Sequence, residues 1–240
     1  MNRPAQGGIY RGFLPQTDFM AGSSGDGIMG DASETYAIEK LMAWRYGNLC
    51  YYLTIVALFL FSVSGIIIQD NFRAVWGFVA VILATLAAIV ERKKGWVFPW
   101  PAKFLIGLTL VMHIGGGIHS WYFTLYPVYD KIAHLVASIT IAFLTFLFLI
   151  FLAYHSVGHL GRRKIIALIV FVTLFFGFTW ETAEYVIDLN LLSTYFVTSY
   201  DSIFDTIFNI LGAGYIAFHA NEYLKLEPPE KVYTRLVKWK

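Results

Sequence analysis

Residues 129–154 read YDKIAHLVASITIAFLTFLFLIFLAY. The run opens on an acid, a base and a histidine (Asp130, Lys131 and His134) and then carries no further charge before Arg162. A bilayer-spanning helix needs roughly 20 residues of low polarity, and this stretch exceeds that. The rest of the chain has the same character. Of its 240 residues 58% are apolar and only 14% charged, with 21 Phe, 15 Tyr and a mean hydropathy of +0.60. An ordinary soluble domain is about a quarter charged, and one of this size could not hide so much apolar surface from water. The composition therefore predicts an all-α, polytopic membrane bundle and excludes soluble enzyme folds. The net charge of +2 gives no nucleic-acid footprint. The lone Cys50 closes no intramolecular disulfide and reads as a small apolar helix residue.

Working outward, the gaps between charges place six spans, near 48–68, 75–90, 102–119, 129–154, 164–186 and 201–220. The basic residues set the orientation, because Lys and Arg collect on the cytoplasmic side. With the N-terminus inside, 16 of the 18 basic residues fall in cytoplasmic segments, and only Arg73 and Lys131 fall outside. Both termini are then cytoplasmic, in a plasma or inner membrane. Trp44, Trp76, Trp96, Trp100, Trp121 and Trp180 fall at span ends, where amphipathic rings prefer to sit.

Residues 1–30 are Gly-rich and lack the apolar core of a signal peptide; they read as a flexible cytoplasmic tail, or an arm that orders against a partner. Asp31-x-x-Glu34 suits a helix start, and Ile38, Leu41, Met42 and Arg45 follow at helical spacing, so 31–46 reads as an interfacial amphipathic helix. The bundle is expected over 47–220 and a basic tail, broken by Pro228-Pro229, over 221–240.

Ionisable residues inside spans are costly and mark function by default. Asp130, Lys131 and His134 open span four, Glu181 and Glu184 close span five, and Asp201, Asp205 and Asn209 open span six. With the topology above, all of these meet at the extracytoplasmic face. Asp130 and His134 share a helix face, as do Glu181 and Glu184, and Asp201, Asp205, Asn209 and Gly212 form one stripe. His113 and His119, late in span three, add imidazoles from the same side, whereas His155, His159 and His219 lie at the other end. Five carboxylates facing one lysine and one histidine cannot all stay ionised without protons or a cation. Carboxylate and imidazole together suit Zn, Mn, Fe or another divalent ion. The candidate metal ligands are Asp130, His134, Glu181, Glu184, Asp201 and Asp205, with Asn209, His113 and His119 in support. Asp201 and Asp130 have a second reading as N-caps, His113 and His119 as packing residues, and the Glu pair as side chains snorkelling to the head groups.

The order Asp130-Lys131-x-x-His134, Glu181-x-x-Glu184, Asp205-x-x-x-Asn209-x-x-Gly212 resembles the signature of VanZ-like membrane proteins. Gly116-Gly117 with Tyr122, Tyr129-Asp130, Trp180-Glu181-x-x-Glu184 and the paired Asp201 and Asp205 are more similar still to the YjdF-type inner-membrane family, and Glu184 stands where VanZ-like proteins usually carry Gln. The likeness covers roughly 105–220. It implies a polytopic helical protein with an acidic and histidine site, and it brings no reaction; VanZ-like proteins are linked to glycopeptide resistance and the cell envelope.

Three functions compete. In the first, a divalent ion held by the acids acts on, or binds, a lipid-linked or phosphorylated head group, with His134 as ligand or acid/base and Lys131 beside the anion. In the second, the chain is a non-catalytic subunit or assembly factor, its polar cluster pinning helices and its two tails gripping protein partners. Third comes a cation-coupled transporter, which the lack of polar residues through the inner halves of spans four to six and of an inverted repeat disfavours.

Overall fold

The computed structural model describes residues 26–94, 98–155, 160–191 and 199–236. Residues 1–25 of the expected Gly-rich tail over 1–30, and Trp96 and His159, lie outside the described residues. Residues up to Leu41 form one unit, and Met42–Lys240 form the other.

All regular structure among the described residues is helical. Helix α1 spans Asp26–Ile67, so its first residue is Asp26 where the sequence suggested Asp31. Helix α2 (Asn71–Lys94) follows after a short turn, in which Asp70 caps the helix by accepting the Arg73 backbone N–H at 3.0 Å. Span three is interrupted rather than one regular helix. It consists of α3 (Trp100–Leu110), one π-helical turn (Val111–Gly115), α4 (Gly116–Ile118) and α5 (Trp121–Thr124). Three successive glycines, Gly115 to Gly117, are poor helix formers. The widened turn is held from outside: Tyr129 Oη donates to the Met112 carbonyl at 2.8 Å. Tyr129 fits only because Gly116 has no Cβ, which would lie 2.6 Å from that phenol oxygen.

Helix α6 (Val128–Tyr154) is the hub. Its 27 residues measure about 40 Å at 1.5 Å per residue, more than the hydrocarbon core. Helices α3, α7 (Arg162–Leu191), α8 (Ser199–Leu226) and α9 (Pro229–Leu236) all pack on it. Its buried stripe changes chemistry along its length: Lys131, His134 and Ser138 near the start, then Phe146, Leu149, Ile150 and Ala153. The apolar half closes against Ile165 and Ile169 of α7 and Ile216, Ala217, Ala220 and Leu224 of α8. The polar half faces the acids of the same helices.

Met42–Ile67, Asn71–Lys93, Val128–Tyr154, Arg162–Val186 and Asp201–Leu226 are long and apolar enough to cross a membrane, while Trp100–Gly115 is a shorter apolar helix. The expected six spans thus become five long helices and one short, interrupted one. Phe59, Leu60, Ile82, Leu83, Phe171 and Phe178 are exposed on these helices; in a bilayer such side chains face lipid and need no protein cover.

The chain after span six differs from a free tail. Helix α8 runs on to Leu226, and α9 buries Val232 and Tyr233. The Tyr233 ring stacks near Phe151 and Tyr154 at the end of α6, so Pro228 and Pro229 turn the chain back onto its own bundle. A second contact hidden from sequence joins α2 to α3: buried Lys103 pairs with Glu91 at 2.9 Å, and Glu91 also accepts the Phe98 backbone N–H at 2.7 Å.

Close approach of α8 to α6 depends on Gly212. A Cβ there would meet Ser138 Cβ at 2.7 Å and the α6 backbone at 3.0 and 3.1 Å, whereas Gly214 faces open space. Gly212→Ala should therefore cost about 1–3 kcal/mol, the usual penalty of overpacking. Gly214→Ala should be neutral or slightly stabilising. Thermal unfolding in detergent checks the pair, and equal midpoints would contradict this packing.

Candidate functional site

Each functional side chain is carried near a helix end. Asp130 lies in the first turn of α6, Asp201 in the first turn of α8, and Glu181 and Glu184 lie in the second half of α7. Because α6 and α8 start at the membrane face where α7 ends, these positions come together, as their spacing predicts.

Lys131 is the most connected charge. Its ammonium donates to Asp130 Oδ2 at 3.0 Å, to Asp205 Oδ1 at 2.7 Å and to Asp201 Oδ1. An ammonium has three N–H bonds, so three carboxylates use all of them. The side chains of Lys131, Asp201 and Asp205 are 10%, 8% and 3% exposed, which makes this a buried tie between α6 and α8 with little water to screen it. Tyr126, in the loop before α6, donates to Asp201 Oδ1 at 3.4 Å and covers the group from outside. The Asp201 charge beside it holds the Tyr126 phenol above its ordinary pKa.

His134 sits between two sets of acids. Its Nε2 is 3.7 Å from both Asp130 Oδ1 and Asp205 Oδ1, and its Nδ1 is 3.8 Å from Glu181 Oε1. These separations are too long for hydrogen bonds. Glu184 Oε1 accepts the Trp180 indole N–H at 2.8 Å. Glu181 Oε1 is buried and has no hydrogen-bond partner. Two groups of potential ligands result, Asp130–His134–Asp205 and His134–Glu181–Glu184, each with its ligand atoms within 4.8 Å of one another. The imidazole is their shared member.

The remaining sequence candidates fall at different distances from this centre. Asn209 is buried below it, accepting from Ser138 Oγ and lying against Gly177, where a Cβ would come within 2.6 Å of Asn209 Nδ2. Asn209 therefore fixes the three-helix junction. His113 is adjacent: its Nδ1 donates to the Thr109 carbonyl at 3.0 Å, and its ring meets Trp180 edge-on at 5.4 Å. It belongs to neither ligand group. His119 is elsewhere, stacked on Trp121 at 5.5 Å and 3.3 Å from Ser64 Oγ. His155 and His219 pack among aromatic rings at the opposite end. Sequence reasoning missed Ser138 and Tyr126. Ser138 was findable, being four residues beyond His134 on the same face; Tyr126 carried no signal.

Removing Lys131 leaves three carboxylates facing one another in a buried space. Lys131→Met should lower stability by about 3–5 kcal/mol, the range seen when one partner of a buried ion pair is deleted. Adding Asp201→Asn and Asp205→Asn should restore most of that loss. Chemical or thermal unfolding in detergent provides the reading, and a Lys131→Met protein as stable as the wild type would show that the ammonium is not the tie.

The family described as "Predicted membrane protein (DUF2238)" has a model that matches residues 49–225. The matched region contains every residue of both ligand groups and of the Lys131 tie, and it ends before α9. The chain matches no curated protein and no solved structure. With about three-quarters of its length matched, the chain belongs to the DUF2238 family of predicted membrane proteins.

Proposed function

We propose that the cluster is a divalent-cation site opening on the extracytoplasmic face, and that the ion binds a phosphorylated or lipid-linked head group there. Its ligands are His134 Nδ1, Glu181 and Glu184. The observation that carries this choice is the unequal hydrogen bonding of the two halves: the aspartates share a buried ammonium, and one glutamate oxygen is buried without a partner. Lys131 already donates to Asp130, Asp201 and Asp205 and offsets part of their charge. A doubly charged ion about 4 Å from that ammonium would be repelled by about 8 kcal/mol at an effective dielectric of 20. On the other side of the imidazole, Glu181 Oε1 is buried without a hydrogen-bond donor, and among the described residues Glu184 accepts from a neutral indole.

The Asp side then acts as support. With the ion on Nδ1, His134 carries its proton on Nε2, which faces Asp130 and Asp205. A carboxylate behind the far nitrogen of a ligating histidine fixes its tautomer and raises its basicity. One imidazole and two carboxylates suit Zn, Mn or Fe, and three protein ligands leave a position open for water or a phosphate oxygen, the pattern of reactive rather than purely structural sites. Lys131 has no N–H left for an anion, so its part is to position Asp130 and Asp205 rather than to pair with substrate. The motif order shared with YjdF-type and VanZ-like proteins supports a site at these positions, and the basic-residue asymmetry supports the outward face and cytoplasmic termini.

The competing reading is a non-catalytic subunit or assembly factor in which the cluster only staples helices. The Lys131 tie favours it, but the orphaned Glu181 oxygen does not, since a staple gains nothing from an unsatisfied buried acceptor. The gripping tail at the C-terminus is also less available, because α9 is folded against α6.

Metal analysis of purified protein equilibrated with Zn or Mn separates the two. The wild type and Asp201→Asn should retain stoichiometric ion, and Glu181→Gln/Glu184→Gln should retain almost none. Affinity should fall as pH falls, because protons compete for the imidazole and carboxylate ligands. Negligible ion in the wild type at saturating metal would remove the proposal, and equal retention by the double variant would move the site.

A further inference from the structure

We infer that a groove between α7 and α8, at the end of α7 opposite the carboxylate cluster, holds an anionic phospholipid. The groove is shallow and open, offers about 780 Å³, and is lined by Arg162, Arg163, Ala167, Val170, Leu174 and Asn221, among others. That volume lies inside the usual range for small-molecule sites.

Three observations converge on this occupant. The charge sits only at the mouth, where Arg162 and Arg163 are exposed and make no ion pair among the described residues. The acid nearby on α8, Glu222, is instead bound to Lys225 at 2.6 Å. Below the arginines the lining is apolar, through Ala167 and Val170 to Leu174. The advance from Arg162 to Leu174 is roughly 18 Å at the helical rise, close to the roughly 15 Å of one leaflet's hydrocarbon. A ligand matching this profile has a phosphate at one end and an acyl chain of leaflet length behind it. Guanidinium groups bind phosphate oxygens in paired geometry, and two of them beside a single acid that is itself bound to Lys225 favour a net-negative head group over a zwitterionic one.

The test uses the full chain in nanodiscs of mixed phosphatidylglycerol and phosphatidylcholine, followed by release into detergent and native mass spectrometry of the retained lipid. The wild type should retain phosphatidylglycerol well above its bulk fraction. Arg162→Gln/Arg163→Gln should lose that preference by about fivefold per arginine, from the free energy of one basic side chain near an anionic surface. Ala167→Trp, which leaves both arginines and fills the apolar wall, should also lower retention, and water-soluble glycerol phosphate should not displace the lipid. Retention in bulk proportion, or an undiminished preference in either variant, would overturn the assignment. Displacement by glycerol phosphate would do so as well, by showing a free-anion site. Circular dichroism of each variant confirms that the helices are intact.

Discussion

Everything in the polar half of this bundle depends on one buried ammonium. Lys131 projects from the start of α6 and ties three aspartates, one on its own helix and two on α8. Without it, Asp201 and Asp205 would face Asp130 across a protein interior inside a membrane, where an uncompensated charge is costly. With it, α8 can approach α6 closely enough for Gly212 to touch the α6 backbone and for Asn209 to reach Ser138. The apolar half, from Phe146 to Ala153, gets its cohesion from side-chain packing with α7, α8 and α9. The helices are thus joined by different forces at their two ends.

The same ammonium divides the acids into two populations. Three share the ammonium, and two, Glu181 and Glu184, meet the other edge of His134 and make no ion pair with a lysine or arginine among the described residues. The imidazole stands between these populations and couples them: whatever binds on Nδ1 is felt by the aspartates behind Nε2. A protein that needed only a helix staple could have stopped at Lys131 and the aspartates. The second pair of carboxylates is what points beyond structure.

Much of this was legible in the sequence, and what was missed has a physical pattern. Charge-free runs locate helices because the bilayer forbids charge along a span, so the five long helices and the positions of Asp130, Glu181 and Asp205 at their ends followed directly. Spacing then put Asp130 with His134 and Asp201 with Asp205, because those relations lie within one helix. Which residues pair across helices was not visible. Which acids Lys131 takes depends on the rotation of α8 about its axis, and a sequence stripe does not fix that angle. The Lys103–Glu91 pair was hidden for the same reason, both residues looking like ordinary charges beyond span ends. The π turn at Val111–Gly115 was signalled by three glycines but needed Tyr129 from another helix to hold it. The docking of α9 was masked by its charge, since only Val232 and Tyr233 of that short helix are buried.

The central claim is that Lys131 occupies the aspartates and leaves His134, Glu181 and Glu184 as the cation pocket. Its most direct test is an anomalous-difference map from crystals of the protein grown with Zn or Mn. The account predicts one strong peak within about 2.0–2.2 Å of His134 Nδ1 and of an oxygen from each glutamate, with Lys131 still bonded to its three aspartates. A peak among Asp130, Asp201 and Asp205 with Lys131 displaced, or no peak at saturating metal, would contradict it.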